Sequence, residues 1–408
     1  MSVKPTDRAE PARWEETVVA QSQIIWTAME NVSLGPPAAK ALAAEVERLD
    51  AKRVFLHVST HLNTNTDEIA RIEAALGKRH AATHDGMPPH APRSAVIRAA
   101  EHAREVNADL IVSVGGGSVN DASAVMLLCL KHNLRKPEDL EPFHIYVDED
   151  GVLQRPQFEG PDIRMIAIPT TLSGGEFNTL SGATDEKTQH KQGYEHRLMA
   201  PISVILDPAI TVHTPRWLWM STGVRSVDHA METLGSFLSN DFADGMAESA
   251  LRLLSEGLAR VSADPNDLDA RLKCQIGAWQ SMIPVIGGIP MGASHAIGHV
   301  LGGTCGVPHG YTSCVMAPYV LAWNASVNGE RQRRIAAALG NPGGSASETA
   351  DAFIRGLGMP RTLKEVGVDE SQLDKVATYT MGDLWARTNP RPVTGPENVM
   401  EILQMAKG

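Results

Sequence analysis

Four short apolar runs confine what the first half of this chain can become: Arg53–Val58, Asp109–Val114, Arg164–Ile168 and Ile202–Leu206. Each is rich in β-branched residues and bounded by turn formers, and helix-like segments such as Arg93–Val106 lie between them. Near-continuous apolar strands that alternate with helices predict a parallel sheet covered on both faces. After Asp207-Pro208 the pattern changes. The spacing of apolar residues predicts helices over 223–238, 242–261, 266–284, 287–300, 310–325, 329–340, 346–356 and 396–406, and no β-alternation returns. At about 150 residues per domain, 408 residues suffice for two. The expected organisation is a flexible arm over 1–18, an α/β domain over 19–208 and a helical domain over 209–408. Residues 148–162, rich in Asp, Glu, Gly and Pro, read as a surface excursion.

Composition narrows the function. With 43% apolar and 21% charged residues the chain is globular, and its net charge of -11 argues against a general attraction to nucleic acid or anionic lipid. The apolar run Ala124–Leu130 is far short of the ~20 residues of a membrane span. The first ten residues hold no apolar stretch of signal-peptide type, so a cytoplasmic protein acting on a small molecule is expected. Cys129, Cys274, Cys305 and Cys314 form no CxxC pair and read as reduced core thiols.

Two loops point to a nucleotide. The run Asp109–Val114 leads straight into Gly115-Gly116-Gly117-Ser118 and, past Asp121, into a helical stretch. A glycine-rich turn between strand and helix lets backbone N–H groups approach a phosphate, while the helix N-terminus adds favourable partial charge. A plain tight turn is the simpler reading of such a sequence. The second loop, Pro169-Thr170-Thr171-Leu172-Ser173-Gly174-Gly175-Glu176, follows the run 164–168 in the same way. Two such loops at the carboxyl ends of strands form the usual ligand crevice of an open α/β sheet.

Histidines mark the helical half. Arg225 and His229 are spaced i,i+4, as are His295 and His299, and His309 stands at an expected helix start. Each histidine taken singly reads as a satisfied, partly buried side chain. Four in one glycine-rich helical domain instead suggest a divalent metal site or a proton-handling cluster.

The order Gly115–Ser118, Pro169-Thr-Thr171, Gly223-Val-Arg-Ser-Val-Asp-His-Ala-Met-Glu232 and His295…His309 resembles the iron-type (group III) alcohol dehydrogenase superfamily over nearly the whole chain. That resemblance implies the dehydroquinate synthase-like architecture: a Rossmann-like N-terminal domain, an all-α C-terminal domain and an active site between them. It also implies hydride transfer with NAD(P) and a homodimer. His90-Ala-Pro92, His299-Val-Leu-Gly-Gly303 and Asn389-Pro-Arg-Pro-Val393 resemble maleylacetate reductases in particular. These reduce maleylacetate to 3-oxoadipate with NADH or NADPH during the degradation of aromatic compounds.

One departure stands out. By resemblance, the metal ligands of the superfamily match His229, His295 and His309, with an aspartate at the position of Arg225. Here that residue is cationic. A guanidinium ~5 Å from a dication repels it by roughly 6–7 kcal/mol at an effective dielectric of ~20. A tightly held catalytic Zn or Fe ion is therefore not expected. Arg225 is expected instead to bind a substrate carboxylate or the developing oxyanion, with His229, His295, His299 and His309 supplying hydrogen bonds and a proton. The plainer alternative pairs Arg225 with Asp228 on a solvated helix face. Around the dinucleotide, Gly115, Gly116, Gly117, Ser118, Asp121, Thr170, Thr171 and Ser173 are expected to line the phosphates and nicotinamide. Ser59, Thr60 and His61 would meet the adenosine ribose, in a loop without an acid to exclude a 2′-phosphate, so NADH and NADPH are both expected to serve. Competing readings are an alcohol dehydrogenase or aldehyde reductase with metal on the three histidines, and a lyase of the dehydroquinate synthase kind.

Overall fold

A computed structural model describes residues 22–148 and 152–408. The expected arm over 1–18 and the centre of the excursion at 149–151 lie outside the described residues. The first half is built on a six-stranded parallel sheet formed by β1 (Asn31–Leu34), β2 (Val54–Val58), β3 (His80–His84), β4 (Leu110–Gly115), β7 (Arg164–Pro169) and β10 (Ser203–Leu206). Between β4 and β7 lies a two-residue antiparallel pair, β5 (Tyr146–Val147) with β6 (Leu153–Gln154). Between β7 and β10 lies an antiparallel hairpin, β8 (Leu180–Asp185) with β9 (His190–Glu195). The sheet order is β1-β10-β7-β4-β2-β3. Progression therefore reverses between β2 and β4, the place where open parallel sheets bind ligands.

Helices α1 (Ala38–Arg48), α2 (Thr60–Asn65), α3 (Glu68–Leu76), α4 (Arg93–Glu105) and α5 (Gly117–Lys131) flank this sheet. Every residue of β2 and β4 is buried, as expected of strands covered on both sides. Beyond Leu206 the described residues contain no further strand. They form α6 (Arg216–Gly235), α7 (Asp241–Ala263), α8 (Leu268–Ile286), α9 (Ala293–Cys305), α10 (His309–Ala338), α11 (Ala346–Gly356), α12 (Leu373–Thr380) and α13 (Pro396–Ala406). The two helices expected at 310–325 and 329–340 are one bent helix, α10, whose backbone leaves helical geometry at Asn328 (φ -121°). None of the described helices is long and apolar enough to cross a membrane.

The two halves are sewn together at the loop after β7. Thr214 Oγ1 donates to Thr170 O (2.7 Å), and Leu172 N–H donates to Thr222 Oγ1 (3.1 Å). Ser226 Oγ donates to Leu172 O. The Leu172 side chain, fully buried, packs into the helical core beside Trp219, Val224 and Leu258. A loop of the sheet layer is thus a component of the helical layer, one turn from Arg225.

Candidate active site

The first wall of the site is the glycine loop. Gly116 precedes α5, and no side chain caps that helix, which leaves first-turn N–H groups open to an anion. A Cβ on Gly116 would lie 2.9 Å from Thr171 Cγ2, so the two loops approach as closely as a glycine permits. Thr170 N–H donates to Gly115 O (2.9 Å), and Thr171 Oγ1 lies 3.2 Å from Ser173 Oγ. Gly115, Gly116, Gly117, Ser118, Thr170, Thr171 and Ser173 are therefore brought together as expected. This cradle, which side chains would fill, fits a dinucleotide phosphate.

Two neighbours of the cradle, Lys191 and Asp85, escaped the sequence reading, and His90 and Ala91 join them there. Lys191, from β9, pairs with Asp121 at 2.6 Å, its stem lying over Gly182 where a Cβ would collide with it. Asp121 is thus partnered by a lysine that lies 70 residues away in sequence. His90 and Ala91 both adopt positive φ (65° and 51°), a strained pair for non-glycine residues. Their conformation is held by His90 N–H to Ser118 Oγ (3.1 Å) and Thr184 N–H to Ala91 O (3.0 Å). Asp85, at the end of β3, accepts from Asn63 Nδ2 at 2.9 Å, and Gly86 N–H donates to Thr60 Oγ1 at 2.9 Å. The acid missing from the loop Ser59–Asn63 thus arrives from the adjacent strand. Ser59 N–H binds Val114 O (2.8 Å) at the sheet reversal, and His61 is exposed, its Nδ1 3.3 Å from Asn65 Nδ2.

The second wall is helical. Arg225 and His229 lie on α6, His295 and His299 on α9, and His309 opens α10. Arg225 is 5% exposed, and its hydrogen bond runs from Nη1 to Ser313 Oγ at 3.5 Å. Burial draws its pKa down to about 10, against the pull of Asp228 and Glu232, so it remains a cation at neutral pH. The alternative of a solvated Arg225–Asp228 ion pair is corrected. Asp228 is 1% exposed and accepts instead from Ser294 Oγ (2.7 Å), with His295 Nδ1 3.5 Å from its carboxylate. The face the pair would share is interior.

Behind Arg225 a hydrogen-bond network orders the histidines. Glu232 Oε2 lies 2.7 Å from His295 Nδ1 and accepts Gly292 N–H (2.9 Å), while Oε1 accepts Ser294 N–H (2.8 Å). Burial raises the pKa of Asp228, and the charge of Glu232 raises it further; burial likewise raises Glu232. Among the described residues, His295 Nε2 and His229 Nδ1 are buried without hydrogen-bond partners. Burial, with Arg225 nearby, holds both imidazoles neutral at ordinary pH. His309 meets solvent on one side, yet the walls that crowd it and the charge of Arg225 act in the same downward direction. The rings pair by stacking: His229 on His295 (4.7 Å, 24°) and His299 on His309 (6.2 Å, 4°). Trp385 lies against His299 (5.0 Å) and edge-on to His295 (5.8 Å).

Ligand atoms close enough to share an ion come from one of the three histidines and two carboxylates. Among the described residues, Asp228, Glu232 and His295 form the group of three whose ligand atoms lie within 4.8 Å of one another. Those atoms are already engaged: both Glu232 oxygens accept backbone N–H groups, and the His295 nitrogen concerned faces Glu232. With a buried guanidinium beside them, this donor set does not fit a catalytic dication. Arg391, of the motif Asn389–Val393, stacks on Trp323 at 3.9 Å and donates to Trp323 O at 3.1 Å.

Comparison with known proteins agrees with this two-walled plan. Residues 30–208 match the model of the iron-containing alcohol dehydrogenase family, and residues 219–407 match that of the family's C-terminal domain. The chain is 32% identical to dehydrogenase ALT3 of Alternaria alternata, covering 86% of this chain and 98% of that protein. It is 30% identical to maleylacetate reductase 2 of Cupriavidus pinatubonensis, covering 92% and 94% respectively. The crystal structure of maleylacetate reductase from Agrobacterium tumefaciens superimposes with a TM-score of 0.80 at 26% identity, covering 95% of this chain and 99% of that one.

Proposed function

Since this chain belongs to the iron-containing alcohol dehydrogenase family and is an oxidoreductase, we propose that it is an NAD(P)H-dependent reductase of the maleylacetate type, working without a catalytic metal. The observation that carries this reading is Arg225, a buried cation whose charge no carboxylate of the described residues neutralises by direct contact. A small oxo-dicarboxylate fits such a site, because a guanidinium fork matches a carboxylate or enolate oxygen and gains strength where water is scarce.

The dinucleotide, when bound, supplies the hydride. The glycine loop and the α5 N-terminus would hold its phosphates, while Ser59, Thr60, His61 and Asp85 would stand at the ribose end. Hydride addition to one carbon of the conjugated double bond of maleylacetate moves negative charge to the carbonyl oxygen, where Arg225 would receive it. A proton then adds to the other carbon of the former double bond, α to the carbonyl, which forms the second C–H bond and gives 3-oxoadipate. His229, His295, His299 and His309 stand beside the guanidinium as the groups that would guide that proton.

A second reading has one observation in its favour: His295 anchors Nδ1 on Glu232 and leaves Nε2 open, the pattern of a ligating imidazole. It would make the protein a Zn- or Fe-dependent alcohol dehydrogenase on His229, His295 and His309. The test is the rate of NADH and NADPH oxidation with maleylacetate, using chelator-treated protein. Turnover without metal supports the reductase. No turnover, with aldehyde reduction restored by Zn²⁺ or Fe²⁺, overturns it.

A further inference from the structure

One carboxylate in the C-terminal segment does two jobs at the edge of the cleft. Asp383 Oδ1 accepts Trp385 N–H at 2.9 Å, which closes the short turn Leu384–Thr388. Its other oxygen, Oδ2, lies 2.9 Å from His299 Nδ1. The turn is fixed at its far end by Thr388 Oγ1 donating to Met291 O (2.6 Å). The half-buried Trp385 indole then stands between the two stacked histidine pairs, tilted 36° on His299 and perpendicular to His295. A large, flat, weakly polar surface is thus set beside the imidazoles that face the cleft, by a residue that also orients one of them.

We infer that Trp385 selects for substrates that are planar and conjugated at the reacting carbons, and that Asp383 is the positioning residue for both Trp385 and His299. The inference rests on the reductase reading and specifies its substrate class. A flat π-system stacks on an indole with offset geometry, whereas a saturated chain of equal length and charge presents puckered C–H groups and cannot match the plane. Of the groups lining the site, Arg225 reads charge, and Trp385 reads shape.

The experiment titrates two six-carbon dicarboxylates, trans,trans-muconate (planar) and adipate (saturated), into protein saturated with the oxidised dinucleotide. Heat of binding is the readout. Wild type is expected to favour muconate by about three- to tenfold, the range of an aromatic stacking contact. In Trp385→Leu that ratio should fall to near unity with adipate binding unchanged, while Trp385→Phe keeps most of it. Asp383→Ala should reproduce the loss, and Asp383→Asn, which still caps the turn, should largely restore the ratio. A ratio that stays the same in Trp385→Leu overturns the inference alone. Arg225→Met serves as the control for the underlying reading: it should weaken both ligands alike. If Arg225→Met leaves both affinities unchanged, the reductase reading falls, whatever the ratio does.

Discussion

His295 Nδ1 meets Glu232 Oε2 at 2.7 Å, joining α9 to α6 through a bond that also fixes which ring nitrogen is left free. Because Nδ1 is committed to the carboxylate, Nε2 is the nitrogen that remains available. The same Glu232 satisfies the N–H groups of Gly292 and Ser294 at the start of α9. Glu232→Gln would turn an amide N–H₂ toward one of those donors. The variant should lose about 2 kcal/mol of stability, seen in urea unfolding, and its His295 would no longer be held in one tautomer. Unchanged stability would mean that the network is not what orders α9.

Arg225→Met should lower kcat/KM for maleylacetate by about 10²–10³-fold, the usual cost of removing one preorganised group that stabilises an oxyanion. Arg225→Lys keeps the charge but loses the planar fork, and its activity should fall between the two. Steady-state kinetics with both dinucleotides decide this, and wild-type values for Arg225→Met would refute the assigned role.

The converse change bears on metal. Arg225→Asp exchanges a buried repulsive charge for an attractive one beside His229 and His295. Zn²⁺ affinity should rise by at least about a hundredfold, read as metal retained after dialysis. Equal zinc content in variant and wild type would show that Arg225 is not what discourages the ion.

At the cradle, Gly116→Ala places a methyl group 2.9 Å from Thr171 Cγ2. Its backbone φ of -87° is ordinary, so the cost falls on the space between the loops and not on the fold. The KM for NAD(P)H should rise by about tenfold with little change in melting temperature. A normal KM would place the phosphates elsewhere.

Glu176 links the site to pH. Buried behind the second loop at 4% exposure, it has its pKa pushed up to about 7 by burial, with the Asp121 charge adding to the rise. An acid raised on folding contributes stability below its unfolded pKa of about 4.5 and loses it as pH climbs toward 7, a slope set by the extra proton held in the folded state. Relative to Glu176→Gln, wild type should therefore be about equally stable at pH 4 and less stable by roughly 3 kcal/mol at pH 8. A difference that does not grow between those pH values would mean that Glu176 is ionised in the fold.

Much of this was legible in the residues. The four apolar runs fall on β2, β4, β7 and β10, because strands buried on both faces must be continuously apolar. The strands β1 and β3 were not legible: each lies at an edge of the sheet, one only four residues long and the other the half-buried polar run His80–His84. Arg225 and the histidines could be singled out because helical spacing and residue type are local properties. Asp85, Lys191, Asp383 and Trp385 could not, since each reaches the site through a long-range contact. Lys191 finds Asp121 across 70 positions, and Asp383 finds His299 across 84. Whether Arg225 would face Asp228 or Ser313 was equally beyond reach, because it depends on how α10 packs against α6.

The tie at Leu172 has a kinetic side. Its N–H is held by Thr222 and its carbonyl by Ser226, and both of these side chains belong to the helix that carries Arg225. A phosphate settling between the glycine loop and Thr171 therefore presses on a segment that cannot yield without shifting that helix. Such a coupling is expected to favour an ordered arrival, dinucleotide before acid.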